Sequence, residues 1–349
     1  MSAGVIAGWA TPLAAIRYAA TGSGHYESFY IKANHPERRL GLWLKFNLLE
    51  PAGHPEALQG ELWGVWFDGE QGRQVAAGQL LPREAVDARR GALSLRLGDA
   101  TLELRGDALV EQAQVTGGGH RLAWDVRLEP TAPPAILFPA RRLYEGGFPK
   151  KKVLTPIPRG RLDGWIEVDG ERHALAGWEG LHGHNWGREH AFRYAYGNGL
   201  FTGGAYLDGF SAKLKLGPMT SPWLSLLLVR LPDGRELSFN RPARWLAGRP
   251  RAGDLRWQLD LPGPGGTRAR LAMSADAADA VGLRYPYPDG RNGYCLNTKF
   301  GRGTLRVEER GRVLYQGDSG RCELETFGPR PVAGIEYLSA GAHEPPATP

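Results

Sequence analysis

The feature that most constrains this chain is the near absence of helical periodicity. Apolar residues instead recur at every second position in short runs, and turn residues separate the runs. In YESFYIKA (26–33), Tyr26, Ser28, Tyr30 and Lys32 fall on one face, and Glu27, Phe29, Ile31 and Ala33 on the other. A period of two is that of a β-strand, whose successive side chains point to opposite faces. LGLWLKFNLLE (40–50), ELWGVWFD (61–68) and RQVAAGQLL (73–81) follow. GALSLRLG, ATLELRG, ALVEQAQV and HRLAWDVRLEP come next, at close spacing, with glycine-rich turns between them. That pattern predicts an antiparallel meander. PREAVDARR (82–90) predicts a short helix with Pro82 at its start. SADAADAV (274–281) predicts one or two helical turns.

The strands arrive in two sets. The break between them, 131–160, is proline-rich and irregular. It reads either as a plain surface connection or as a lid, because Leu137, Phe138, Tyr144 and Phe148 are apolar for a linker. The segment GRLDGWIEVDGERHALAGWEG then predicts a hairpin with Asp169-Gly170 at its tip. Strands resume in AYLDGFSAKLKLG, SPWLSLLLVRLPDGRELSF, residues 241–247, DLRWQLDLP, TRARLAMSA and the closing stretch from Tyr294. An all-β architecture in two parts follows, either two barrels or two sandwiches.

At 349 residues the chain is long enough for two domains. Its net charge of +6 is spread over mixed, scattered charges. With no known module and no basic helix, nucleic-acid binding is not expected. The tight cationic clusters Arg141-Arg142 and Lys150-Lys151-Lys152 are candidates for peripheral contact with an anionic membrane surface. Cys295 and Cys322 are the only cysteines, too few for a disulfide framework, and are expected free and reduced. The N-terminal arm (1–24) lacks a basic leader, and no apolar run approaches the roughly 20 residues that span a bilayer. A soluble, cytoplasmic protein with a loose HEPPATP tail is expected.

Chemistry concentrates in residues 177–210, which hold His182, His184 and His190 together with Trp178, Trp186, Tyr194, Tyr196, Tyr206 and Asp208. If 181–187 is extended, His182, His184 and Trp186 share one face; likewise Tyr206, Asp208 and Phe210 share one. If the two segments pair, a His–Trp pair and a Tyr–Asp pair converge in one cavity. An aspartate buried among aromatic rings has a raised pKa and can act as a general acid. A nearby histidine can serve as base or hold a water, and Trp and Tyr faces can stabilise a passing carbocation. These are the parts for protonating a C=C bond, and they need neither a metal nor a redox cofactor. Three histidines at this spacing can also bind zinc, but no distinctive zinc pattern is present. The glycines at 199–204 do not join a strand to a helix, and no GxSxG elbow occurs.

The segments GHNWG and AYLD, the preceding hairpin GRLDGWIEVDGE and the two-part layout resemble the carotenoid 1,2-hydratase (hydroxyneurosporene synthase) family. That family belongs to a wider set of lipocalin-like double-barrel proteins with kievitone hydratase, fungal lipocalin-type Diels–Alderases and tocopherol cyclases. The resemblance implies two lipocalin-like (calycin-type) antiparallel β-barrels packed side by side, divided as 1–185 and 186–349. It carries the hydratases' His–x–Trp onto His184 and Trp186, and their Tyr–x–Asp onto Tyr206 and Asp208. Gly183 stands where many members have an acidic residue. Two functions are expected in contrast. One is a cofactor-independent hydratase, cyclase or isomerase on an isoprenoid- or polyketide-like substrate, with His182, Trp178, Tyr194, Tyr196 and Phe210 as substrate-binding residues. The other is a carrier holding a lipid or isoprenoid in the same cavity.

Overall fold

The computed structural model describes residues 13–341; the start of the N-terminal arm, 1–12, and the HEPPATP tail lie outside the described residues. The first set of strands is β1 (His25–Asn34), β2 (Leu40–Glu50), β3 (Gln59–Asp68), β4 (Arg73–Leu81), β5 (Val86–Ala88), β6 (Ser94–Leu97), β7 (Ala100–Arg105), β8 (Ala108–Gly117), β9 (His120–Pro130), β10 (Lys151–Val168) and β11 (Glu171–Gly187). They form one antiparallel sheet in the order β4-β3-β2-β1-β11-β10-β9-β8-β7-β6-β5. The sheet curls around a core that includes Phe29, Ile31, Leu44, Trp66 and Trp124 until β4 meets β8. At that crossing a Cβ on Gly117 would stand 2.3 Å from the Gly78 carbonyl oxygen, so near-closure of the barrel requires glycine there.

The second set is β12 (Arg193–Phe201), β13 (Ala205–Lys213), β14 (Lys215–Leu216), β15 (Met219–Thr220), β16 (Leu224–Arg230), β17 (Glu236–Ser238), β18 (Arg251–Gly253), β19 (Arg256–Pro262), β20 (Thr267–Ser274), β21 (Ala280–Pro286), β22 (Asn292–Glu309), β23 (Arg312–Gly328) and β24 (Tyr337–Ser339). Its main sheet runs β17-β16-β13-β12-β23-β22-β20-β19-β18, with β21 on β22 and β24 parallel to β21. The wiring repeats that of the first sheet. Each opening strand (β1, β12) pairs with both its successor and the last long strand (β11, β23). Each half also carries one long hairpin of 18- and 17-residue strands. The protein is therefore all-β, built from two lipocalin-like antiparallel barrels, the first nearly closed.

Three expectations change. The predicted helix over 82–90 is a single 3-10 turn (Arg83–Ala85) that leads into β5, because Val86 and Ala88 pair with β6. One turn cannot offset the cost of helix nucleation without a longer amphipathic run. Residues 274–281 hold one turn, as expected, the 3-10 turn Ala277–Asp279. The strand expected over 241–247 is a 3-10 turn at Pro242–Arg244, where proline offers no N–H to a ladder. The irregular 131–160 stretch ends early: β10 begins at Lys151 and runs through Pro156 and Pro158, and register shifts on either side of Ile157 absorb the two prolines.

The barrels pack together along β1, whose ten residues are nearly all buried, and β2, buried along its whole length. One face of these strands looks into the first core, the other onto the second barrel. Tyr30, Trp43, Trp63 and Phe67 there meet Tyr194, Tyr196, Tyr285 and Phe300.

Candidate functional site

Strand alternation along β11 puts His182, His184 and Trp186 on the face toward the first barrel. His184 Nε2 lies 2.8 Å from Glu27 Oε1, and its Nδ1 lies 3.2 Å from the Leu13 carbonyl oxygen. Glu27 also accepts from the Arg17 and Tyr18 backbone N–H groups at 2.7 Å each and from His25 Nε2 at 3.1 Å. Burial alone would raise the Glu27 pKa; the hydrogen bonds from His184 and His25 outweigh it and hold the carboxyl at about 2. The His184–Glu27 contact is fully buried, with both side chains 0% exposed. Phe29 stacks on the His184 ring at 4.4 Å and Trp186 packs at 4.5 Å.

His182 donates from Nδ1 to the Tyr30 carbonyl at 3.1 Å, and burial drops its pKa to about 3, so it is neutral. Trp178 packs on Trp66 and His35 within the first barrel. His190 stacks on Tyr26 at 3.9 Å, and burial keeps it neutral too. Among the described residues no three His, Cys, Asp or Glu side chains are placed to hold a metal ion.

The opposite face of β11 looks toward the second barrel and belongs to a site with three levels. At one end is an apolar cavity of about 70 Å³, lined by residues that include Phe138, Val153, Tyr194, Tyr196, Phe210 and Trp245. At the other is an open, polar cleft of about 750 Å³, lined by residues that include Lys32, Asn34, Arg39, Leu181, Asn198 and Tyr206. Because side chains alternate, each strand steps from one level to the next. Strand β11 gives Asn185 to the cavity and Leu181 to the cleft, with Gly183 between them. Strand β12 gives Tyr196 and then Asn198, and β13 gives Phe210 and then Tyr206, with Asp208 between. The partition consists of Tyr30, Thr155, Tyr196, Tyr206 and Asp208. Gly183 is required there, since a Cβ would stand 2.1 Å from the Tyr30 ring. That ring lies across the strand, and its hydroxyl donates to the Tyr196 oxygen at 3.1 Å.

Asp208 is 0% exposed. Its Oδ2 accepts from Thr155 Oγ1 at 2.5 Å and from the Tyr206 hydroxyl at 3.3 Å. Its Oδ1 accepts from no described residue. Burial raises the carboxyl pKa to about 6, the two hydrogen bonds offsetting part of the rise. The phenols of Tyr30, Tyr196 and Tyr206 are pushed well up by burial, helped by the Asp208 charge, and stay protonated. A carboxyl near neutrality with a free lone pair can give or take a proton in the physiological range.

Beside the partition runs a buried ionic chain. Lys299 pairs with Glu323 and reaches Asn297 Oδ1 at 2.7 Å. Asn198 donates to Glu323 at 2.6 Å and accepts from Lys32 Nζ at 3.1 Å. Asn297 donates to Glu325 at 2.6 Å, which also accepts from the Tyr194 hydroxyl at 3.3 Å.

Of the residues singled out from sequence, the structure brings together Tyr194, Tyr196, Tyr206, Asp208 and Phe210. It leaves Trp178 and His182 inside the first barrel. The His–Trp and Tyr–Asp pairs do not meet in one cavity. The link between them is indirect: Trp186 stacks on Tyr144 at 6.0 Å, and Tyr144 packs edge-on against the cavity wall at Phe138, 5.2 Å away. The 131–150 segment thus forms part of the wall. Glu27, Tyr30, Lys32 and Thr155 escape a reading centred on 177–210. A lone glutamate among Phe29, Ile31 and Ala33 on one face of β1 was the available signal for the first of them.

No family model matches the chain. Two uncharacterized proteins of Mycobacterium tuberculosis, MT0513 (strain CDC 1551 / Oshkosh) and Rv0493c (strain ATCC 25618 / H37Rv), are each 26% identical over 306 residues, covering 86% of this chain and 86% of their own. Among solved structures, an AttH-like protein from Nitrosomonas europaea superposes with a TM-score of 0.56 at 14% identity, covering 88% of this chain and 93% of its own. Kievitone hydratase from Nectria haematococca gives 0.53 at 11% identity, covering 91% and 92%. CghA gives 0.54 at 12% identity, covering 92% and 90%. At these identities the likeness is one of fold.

Proposed function

We propose that this protein is a cofactor-independent acid–base enzyme of the hydratase, cyclase or isomerase kind. Its substrate is an apolar, unsaturated small molecule, isoprenoid- or polyketide-like, held between the barrels, and Asp208 is the proton-transfer group. The observation that carries the reading is Asp208 itself: fully buried, unpartnered at Oδ1, and set between an apolar cavity and a polar cleft. Two neighbours of the same fold lend support by name, a hydratase and a protein whose structure is also known with Sch210972.

In the hydration direction the substrate's double bond enters from the cavity. Protonated Asp208 gives its proton to one alkene carbon. Water from the cleft side adds to the cationic carbon and returns a proton to the Asp208 carboxylate, which restores the starting state. The electron-rich faces of Tyr196 and Tyr206 flank the positive charge. Tyr196 borders the cavity, and Tyr206, which donates to Asp208 Oδ2, borders the cleft. In this reading His184 and Trp186 are positioning residues: the His184–Glu27 hydrogen bond fixes β1 against β11, and Trp186 supports Tyr144 behind the wall. A carrier needs an apolar cavity but no buried carboxyl at its end.

The test starts from protein purified from its own host, with organic extraction and mass spectrometry of what co-purifies. The extracted molecule is then incubated with wild type and with Asp208→Asn. The expected result is a gain of water or an isomer with wild type only, with binding retained in the variant. Equal conversion by both removes Asp208 from the mechanism. Binding with no conversion by either favours the carrier.

A further inference from the structure

We propose that the face around the mouth of the apolar cavity docks on an anionic lipid surface. Six large apolar side chains are exposed among the described residues, and four of them flank this one cavity: Phe148 at 55%, Leu216 at 52%, Met219 at 68% and Leu246 at 60%. Phe148 lines the mouth and lies 6.5 Å from Trp245, which lines it too, and Leu246 follows Trp245 in the chain. Leu216 and Met219 sit on the β14–β15 hairpin, which leaves the cavity wall at Leu214. Isolated exposed apolar residues are ordinary, but several gathered at the opening of an apolar cavity mark a contact surface.

Charge selects the occupant. The chain has no Asp or Glu from Gly209 to Pro232, nor from Asn240 to Gly253, nor from Gly146 to Lys152. These are the three segments that carry the four apolar residues. They do carry Lys150, Lys213, Lys215, Arg241 and Arg244. Lys150 is paired with Glu189 at 2.6 Å, while Lys215 and Arg241 are exposed. Exposed apolar side chains on segments that carry cations and no acid of their own, Lys150 being paired with Glu189 from outside them, match anionic headgroups over an acyl layer. The exposed apolar side chains lie on loops and one hairpin, so the proposed contact is a peripheral one made by these segments. The cavity then opens toward the lipid, from which an apolar molecule enters without crossing water.

Vesicle flotation tests this, using the full chain with phosphatidylcholine vesicles and with mixed phosphatidylcholine–phosphatidylglycerol vesicles. Wild type is expected to float with the mixed vesicles and not with phosphatidylcholine alone, and to detach as salt rises. Lys215→Ala with Arg241→Ala is expected to weaken partitioning about fivefold per cation removed. Leu216→Ser with Met219→Ser is expected to abolish it. Both double variants should melt as wild type does, because these side chains are exposed. None of the four residues lines the cavity or touches Asp208, so conversion of detergent-dispersed substrate should be unchanged; the role of Asp208 and the docking face therefore fail separately. Wild type that ignores phosphatidylglycerol, or variants that float like wild type, overturn the proposal. Sedimentation showing a wild-type dimer that Leu216→Ser with Met219→Ser dissolves would assign the face to a second copy and also overturn it.

Discussion

Asp208 and Glu27 are both fully buried carboxyls, but burial wins at Asp208 and the hydrogen-bond partners win at Glu27, so the two shift in opposite directions. Asp208 is raised from an ordinary 3.8 to about 6, so the folded protein holds its proton more tightly than the unfolded chain does. Stability from this group is therefore present in acid and declines as pH rises from about 3.8 to about 6, by about 3 kcal/mol in all. Asp208→Asn should melt above wild type at pH 7.5, with the gap closing by pH 4, as thermal melts across pH would show. Glu27 is the reverse case, lowered to about 2 from 4.5. Its contribution is complete above 4.5 and is lost as pH falls toward 2. Glu27→Gln replaces the carboxylate that accepts from His184, His25 and two backbone N–H groups with an amide that has one acceptor oxygen, which should cost about 1–3 kcal/mol at pH 7. Urea unfolding at pH 7 and pH 3 would test this; the cost should shrink at the lower pH, where the unfolded chain's carboxyl is protonated and folding must ionise it.

At the scale of single elements, strand alternation was legible. It placed His182, His184 and Trp186 on one face, and Tyr206, Asp208 and Phe210 on one face, as the structure has them. What alternation could not decide was which way each face looks. Strands β1 and β2 are buried on both sides, so no polar face marks the outside. The His face turned into the first barrel, while the Asp face turned toward the partition. The prolines of β10 read as loop because the register shifts that accommodate them leave no local trace. Gly183 is an element-scale device as well: β11 needs a bare position where Tyr30 crosses it. Its φ is not in the left-handed region, so the cost of Gly183→Ala is one of space alone. Displacing Tyr30 should cost about 1–3 kcal/mol, and chemical denaturation measures it. The Tyr30–Tyr196 hydrogen bond should break in a crystal structure of the variant.

Across the whole molecule, the two barrels share a wiring plan that residue identity did not reveal, because what repeats is strand order and hairpin length. Their interface combines aromatic packing with buried ions. Lys299 and Glu323 are both 0% exposed, on neighbouring strands of the second barrel where it meets the first. Lys299→Met leaves Glu323 without its cation and should destabilise by about 3–5 kcal/mol, whereas Lys299→Met with Glu323→Leu should recover most of that loss. Calorimetry on the two variants separates a penalty of unpairing from a net worth of the ion pair. These buried charges also explain why net charge said little about function: the informative lysines lie inside, on the strand faces that separate the barrels.

The measurement that bears most directly on this account is the titration of the Asp208 carboxyl, followed by carbon-13 NMR of aspartate-labelled protein, with Asp208→Asn supplying the assignment. A midpoint near 6 is the predicted result, the value of a proton-transfer group held between an apolar cavity and a wet cleft. A midpoint at the ordinary aspartate value near 3.8 would contradict it, since a carboxyl that acidic is a fixed charge and not a donor at physiological pH.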